Sequence, residues 1–225
     1  MVRPLLLDLF CGAGGAAKGY RDAGWDVIGV DIAPQPRYPF EIVRGDALTI
    51  LRNWQMWFPE SVAIHASPPC QAYSTTASLH ANEYPRLIEP VRELLLATGL
   101  PFVIENVAGA RSELREPVTL CGSSFGLAVR RHRLFECHGF EVGMVPPCNH
   151  GDQPEPIDVT GTGSRRIGDR PDGGGGNSRK PRNLGEAREA MGIDYMTRRE
   201  LSEAVPPAFT RWIGARLMES LGVRA

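Results

Sequence analysis

Leu5-Leu-Leu-Asp-Leu-Phe-Cys-Gly-Ala-Gly-Gly15 is the stretch that decides the fold. The apolar run Leu5–Phe10, broken only by Asp8, reads as a buried strand. The glycines after it read as a tight turn into a short helix ending near Ala23. The same alternation continues downstream. Trp25–Asp31 reads as a second strand ending in an acid, Ile42–Arg44 as a weaker third and Ser61–Ala66 as a fourth. Leu87–Thr98 has the spacing of an amphipathic helix, and Phe102–Asn106 reads as a fifth strand. Strands alternating with helices predict an α/β fold, a parallel sheet with helices on both faces and ligands beyond the strand C-termini. Functional side chains are therefore expected just after the strands.

Beyond Gly139 the pattern changes. From there to Leu184 no periodicity is sustained, and the stretch holds Gly173-Gly-Gly-Gly176 among many Pro, Asp and Arg residues. Helical spacing returns over Gly185–Met191. Thr197-Arg-Arg-Glu200 has the form of a capping box. Pro206 and Pro207 suit the start of a last helix, with Trp212, Ile213, Leu217 and Met218 on one side.

The chain has 225 residues, 42% hydrophobic and 23% charged, with a net charge of −1. That is ample for one buried core and excludes a disordered polyelectrolyte. Asp8 interrupts the early apolar run, so neither a signal peptide nor a membrane span is expected. Five cysteines do not suggest a disulfide scaffold, and a cytoplasmic, reduced protein is the expectation. The charge is unevenly placed: residues 1–129 carry 10 basic and 13 acidic side chains, residues 130–225 carry 15 and 13. Arg165, Arg166, Arg170, Arg179, Lys180 and Arg182 cluster in one stretch that can track phosphates.

Glycines at a strand-to-helix turn let backbone amides approach a ligand closely. Asp31, at the second strand's end, can accept from ribose hydroxyls. Asp46, after the third strand, can accept from an adenine amine. An adenosine-containing cofactor follows, with NAD and S-adenosylmethionine both open. Ser67-Pro-Pro-Cys-Gln-Ala-Tyr-Ser74 follows the fourth strand and presents Cys70 rigidly where ligands bind. Glu105, at the tip of the next strand, is placed to meet the N3 and N4 edge of a cytosine held over Cys70. A strand-end carboxylate paired with an arginine is the plainer alternative.

Taken in order, these stretches resemble the cytosine-C5 DNA methyltransferase family. The glycine turn is similar to the family's cofactor motif, Pro69-Cys70-Gln71 to its nucleophile motif and Glu105-Asn106-Val107 to its catalytic-acid motif. Arg131-His-Arg133-Leu-Phe135 resembles its Arg-x-Arg strand, and Glu200 to Pro207 its late motif. The resemblance implies a Rossmann-like S-adenosylmethionine-dependent methyltransferase sheet plus a small irregular recognition region. It implies that Cys70 adds to C6 of a flipped-out cytosine, with Glu105, Arg131 and Arg133 around the base. Phe10, Gly12, Gly14, Asp31, Asp46 and Pro69 become cofactor positions. Gln71, Ser74, Arg165, Arg166 and Arg170 become DNA contacts. Residues 1–138 would form the catalytic and cofactor-binding part, 139–184 a reduced target-recognition loop, and 185–225 helices returning to the first part. The expected partner is double-stranded DNA, met by a monomer with no membrane association, in a bacterial, phage or prophage setting. A tRNA-methylating branch shares the Pro-Pro-Cys-Gln and Glu-Asn-Val motifs, and a non-catalytic DNA-binding relative is a third possibility.

Three departures stand out. Ser202-Glu203 replaces the family's usual Gly-Asn pair, Val129 replaces its Gln, and about 45 residues serve where larger members carry a recognition domain. A base-edge contact contributes roughly 1–3 kcal/mol of discrimination, so a short or degenerate site is expected. Cys137, His138, Cys148 and His150 lie within 14 residues. Their spacing is not that of a standard zinc finger, and no metal is assigned from it.

Overall fold

A computed structural model describes residues 3–73, 84–153, 155–160 and 178–222. Its strands are β1 (Leu5–Leu9), β2 (Asp26–Asp31), β3 (Glu41–Arg44), β4 (Ser61–Ala66), β5 (Phe102–Asn106), β6 (Val118–Cys121) and β7 (His132–His138). They form one sheet in the order β3-β2-β1-β4-β5-β7-β6. The first five are parallel, as expected. β7 is not: it runs antiparallel between β5 and β6. The wholly parallel sheet is corrected at this edge for a steric reason. Only residues 122–131 link β6 to β7, fewer than the roughly dozen residues a parallel crossover needs.

The helices are α1 (Gly15–Asp22), α2 (Ala47–Arg52), α3 (Trp54–Trp57), α4 (Ile88–Thr98), α5 (Leu184–Met191), α6 (Arg198–Glu203) and α7 (Pro207–Ser220). They cover both faces of the sheet, which is why its central strands are near-continuous apolar runs. Leu7, Leu9, Ile64, Ile104 and Leu134 bury one face against α2 and α4. Leu6, Val27, Ala63, Val103 and Phe135 bury the other against α1 and α7. Each of these side chains except Ala63 contributes about 1.5–3 kcal/mol. A third cluster joins Ala13 behind the glycine turn to Met191, Met196 and Leu201 of the C-terminal region.

α7 returns to α1 at very close range. A Cβ on Gly19 would sit 2.1 Å from the Pro207 carbonyl oxygen, so glycine is required there. Thr210 Oγ1 donates to Ala16 O at 2.8 Å, and Trp25 Nε1 to Gly214 O at 3.0 Å. The capping box at Thr197 and Glu200 forms in both halves, and Pro206 and Pro207 open α7 as expected. The segment after Gly139 is less irregular at its base than its composition suggests. Ile157 and Arg179 form a parallel bridge, and Ile157 N donates to Ala128 O at 2.7 Å.

Candidate active site

The glycine turn leaves β1 in a conformation that few side chains adopt. Phe10 has φ +57° although it is not glycine, a local cost of order 1–3 kcal/mol that the surrounding turn must offset. Gly12 follows at φ +50°, and a Cβ there would meet nothing within 4 Å, so space stands open beside the backbone. Gly14, at φ +86°, packs against Tyr38 and Pro39 instead. Asp31 ties the turn to β2: one carboxylate oxygen accepts from Gly12 N at 2.9 Å, the other from Ala33 N at 2.8 Å. Asp46 caps α2, accepting from Leu48 N, Thr49 N and Thr49 Oγ1. The Thr49 hydroxyl chiefly, with those amides, holds its carboxyl below the usual range.

The second half of the site lies one strand over. Ser67-Pro-Pro-Cys leaves β4, and the loop is fixed from β5. Asn106 Nδ2 donates to Pro68 O at 2.9 Å while Asn106 Oδ1 accepts from Val107 N. Asn106 thereby fixes the loop that carries Cys70. Asn106→Ala would leave the Pro68 carbonyl without its donor and is expected to cost about 1–3 kcal/mol. A lowered urea midpoint at unchanged m-value would register it; an unaltered midpoint would deny Asn106 this role.

Cys70 is half-buried and Glu105 is buried. Glu105 Oε1 lies 2.9 Å from Arg133 Nε, an ion pair whose angles fall short of a hydrogen bond. Burial pushes the Glu105 carboxyl above its ordinary range, opposed by Arg133, Arg131 and a hydrogen bond from Ser67. Burial also raises the Cys70 thiol, Arg133 lowering it and Glu105 adding to the rise. The resting pair is therefore a thiol beside a carboxyl that holds its proton more tightly than usual. Arg131, just ahead of β7, spends one nitrogen on Ser202 O at 2.5 Å. Its Nε and Nη1 are buried without an acceptor among the described residues. Burial, with repulsion from Arg133, lowers its pKa. A buried guanidinium with two open donors calls for an acceptor on an incoming ligand.

Sequence reasoning placed Cys70, Glu105, Arg131 and Arg133 together, and they lie together. The plainer alternative for Glu105, a carboxylate paired with arginine, holds as well. Phe10, Gly12, Gly14, Asp31 and Asp46 line the adjoining turns, and Pro69 sits half-buried beside Cys70. Gln71 is exposed at the start of a 3-10 turn. Ser74, Arg165, Arg166 and Arg170 lie outside the described residues.

Missed altogether was a buried chain behind Glu105. His65 Nε2 lies 2.8 Å from Ser67 Oγ and His65 Nδ1 2.9 Å from Tyr20 Oη. Burial pushes the His65 imidazole down to about 3, so the ring is neutral. One proton arrangement serves every member: Tyr20 donates to His65, His65 to Ser67, and Ser67 to Glu105. His65 pairs across the sheet with Asp8, also fully buried, whose carboxyl is pushed up by burial and then by Asp31. Neither was recoverable from spacing, because alternation in a doubly covered strand marks no face as polar.

Three solved structures match this chain nearly end to end. An Escherichia coli prophage protein assigned as a DNA modification methyltransferase superposes with a TM-score of 0.62 at 17% identity, over 97% of this chain and 99% of that one. Dnmt2 of Schizosaccharomyces pombe gives 0.62 at 14%, and the methyltransferase EhMeth of Entamoeba histolytica 0.60 at 12%, each over 98% of this chain and 99% of theirs. The chain has a Rossmann-like methyltransferase fold. The type II methyltransferase M.FnuDI of Fusobacterium nucleatum is 30% identical over 118 residues, which is 48% of this chain. The match spans 33% of that relative's length. No protein-family model matches the chain.

Proposed function

We propose that this protein transfers a methyl group from S-adenosylmethionine to C5 of a cytosine in double-stranded DNA. The observation that carries the proposal is the convergence of Cys70, Glu105 and the two open donors of Arg131 at neighbouring strand ends. A methyltransferase fold shared over nearly the whole chain and the partial likeness to a type II methyltransferase support it.

The open space beside Gly12, the exposed backbone of the turn and the acceptor at Asp31 suit an adenosine-bearing ligand. Phe10, Gly12, Gly14, Asp31, Asp46 and Pro69 would hold it. When bound, S-adenosylmethionine supplies an electrophilic methyl group on a sulfonium. Cys70, as thiolate, adds to C6 of the base and makes C5 electron-rich. Glu105 donates its proton to N3 as that addition proceeds, and the Ser67–His65–Tyr20 chain holds its carboxyl in place. Arg131 and Arg133 receive the base's acceptors. Once C5 has taken the methyl group, loss of the C5 proton to water, expulsion of Cys70 as thiolate and return of the N3 proton to Glu105 restore the aromatic base and the resting side chains. A duplex base must leave the stack for Cys70 to reach it.

Radiolabelled methyl transfer to DNA of varied sequence, followed by base-resolution sequencing, tests the proposal. The expected product is 5-methylcytosine at a short or degenerate duplex site. Label on tRNA alone would make the protein an RNA methyltransferase, and label on neither would remove the enzymatic reading.

The pH profile offers a second check. Both pKa values are raised, and the reactive form, thiolate with carboxylic acid, carries the same number of protons as thiol with carboxylate. kcat/KM should therefore be flat between the two values. It should fall below the raised Glu105 value, where both groups are protonated, and above the raised Cys70 value, where both have ionised. Glu105→Gln should replace the plateau by a rate that climbs with pH until Cys70 ionises. A plateau that survives in Glu105→Gln would dismiss Glu105 as the acid.

A further inference from the structure

The sequence brought Cys137, His138, Cys148 and His150 together by proximity in the chain, and the fold separates them. Cys137 packs into the α1/α7 face, its thiol pushed up to about 12 by burial, and His138 stacks on Phe102 with ring centroids 4.7 Å apart. Two other residues take their places. Cys121, at the end of β6, and His132, at the start of β7, are cross-strand partners. Cys148 and His150 approach them from the segment that follows β7. The ligand atoms of Cys121, His132, Cys148 and His150 all lie within 4.8 Å of one another.

We propose that these four side chains form a structural zinc site of the Cys2His2 type. Zinc–sulfur and zinc–nitrogen bonds of about 2.3 and 2.0–2.1 Å set tetrahedral edges of about 3.3–3.8 Å. Cys121 Sγ lies 3.3 Å from His150 Nε2, and Cys148 Sγ 3.5 Å from His132 Nε2. The mixed set of thiolates and imidazoles suits zinc over the hard, oxygen-seeking cations. Supporting groups surround it: Ser123 Oγ is 3.1 Å from Cys121 Sγ and accepts from Asn149 N at 3.0 Å. Arg130 Nη2 donates to the carbonyls of His150 at 3.1 Å and Gln153 at 2.6 Å, fixing the approaching strand of chain.

Both thiols give up their protons on binding, so two thiolates balance the dication and the bound site adds no net charge beside Arg131 and Arg133. His132 stands between those two arginines. Binding it to Cys121 fixes the start of β7, and binding Cys148 and His150 anchors the chain as it leaves for the segment up to Leu184. The site is independent of which nucleic acid the protein acts on.

Full-length protein purified from zinc-replete cells is expected to hold about one zinc per chain by mass spectrometry of the metal. Cobalt(II) in its place should give the visible bands of tetrahedral coordination with thiolate-to-metal charge transfer. Cys148→Ser alters an exposed residue and should lose most of the zinc and shift the cobalt spectrum; His150→Ala should do the same, and Cys137→Ser should do neither. Metal-free protein with free thiols that takes up cobalt would also support the site. Protein that binds neither metal, protein that carries a Cys121–Cys148 disulfide instead, or variants that keep both stoichiometry and spectrum would overturn it.

Discussion

Cys70→Ala is expected to abolish covalent capture of duplex DNA carrying 5-fluorocytosine at the target, and to lower methyl transfer by at least about a thousandfold. The size of the effect follows from the chemistry of the base. Without a thiolate on C6, C5 has little electron density to offer, and none of the other four cysteines stands as a substitute. Cys11 is buried, its thiol raised chiefly by burial, and Cys137 is pushed up to about 12. Cys121 and Cys148 stand together in the cluster at the β6/β7 edge. The substitution should spare the fold, because Cys70 is half-buried and its loop is held by Asn106. DNA binding should also persist, since the open donors of Arg131 are untouched. A denaturing-gel shift of the protein–DNA adduct reads the result. An adduct formed by Cys70→Ala would remove Cys70 as the nucleophile.

The largest expected effect on stability lies elsewhere, at Arg92. Its side chain is 1% exposed inside α4 and grips Glu136 of β7 with two bonds, Nε to Oε1 and Nη2 to Oε2, both 2.7 Å. It also donates to Glu89 and to the Glu113 carbonyl. Glu136, likewise buried, accepts from Arg115 N at 2.8 Å. Arg92→Ala strands that carboxylate in the interior with one amide for company. Breaking such a buried pair from one side costs about 3–5 kcal/mol. In a chain of this size that lowers Tm by about 6–20 °C. Arg92→Leu with Glu136→Leu together should be less destabilised than either change alone, because no charge is then left without its partner. Calorimetry of the four proteins completes the cycle, and additive losses would show that the pair is not coupled.

The parallel core, Cys70 and Glu105 were legible in the sequence because the information is local. Apolar runs such as Leu5–Leu9 and Phe102–Asn106 are strands wherever both faces are covered, and ligand groups cluster just beyond their ends. What escaped depends on contacts between distant segments. β6 is four residues of ordinary composition, and its antiparallel setting exists only through β7. Arg92 sits in a helix whose spacing gives no sign that a charge is buried there. Cys121 and His132 are far apart in the chain from Cys148 and His150, so counting spacings selected Cys137 and His138, which strand alternation and stacking turn away. The resemblance carried the roles of Arg131 and Arg133. It could not supply His65, Ser67 and Tyr20, whose meaning comes from lying behind Glu105.

The contact between α1 and α7 has a bearing on the order in which the protein is made. α1 and the strand beside it are synthesised some 190 residues before the groups that complete them. Until Gly214 emerges, the Trp25 indole lacks its protein partner, and Leu6, Tyr20 and Val27 lack the apolar cover that α7 gives them. A nascent chain therefore carries an uncovered hydrophobic sheet face while the intervening residues are being added. That is the condition under which chains aggregate or engage chaperones. The sheet face should close only once α7 has left the ribosome and settled over the glycine-lined surface of α1, which gives the glycine turn its backing in a single step.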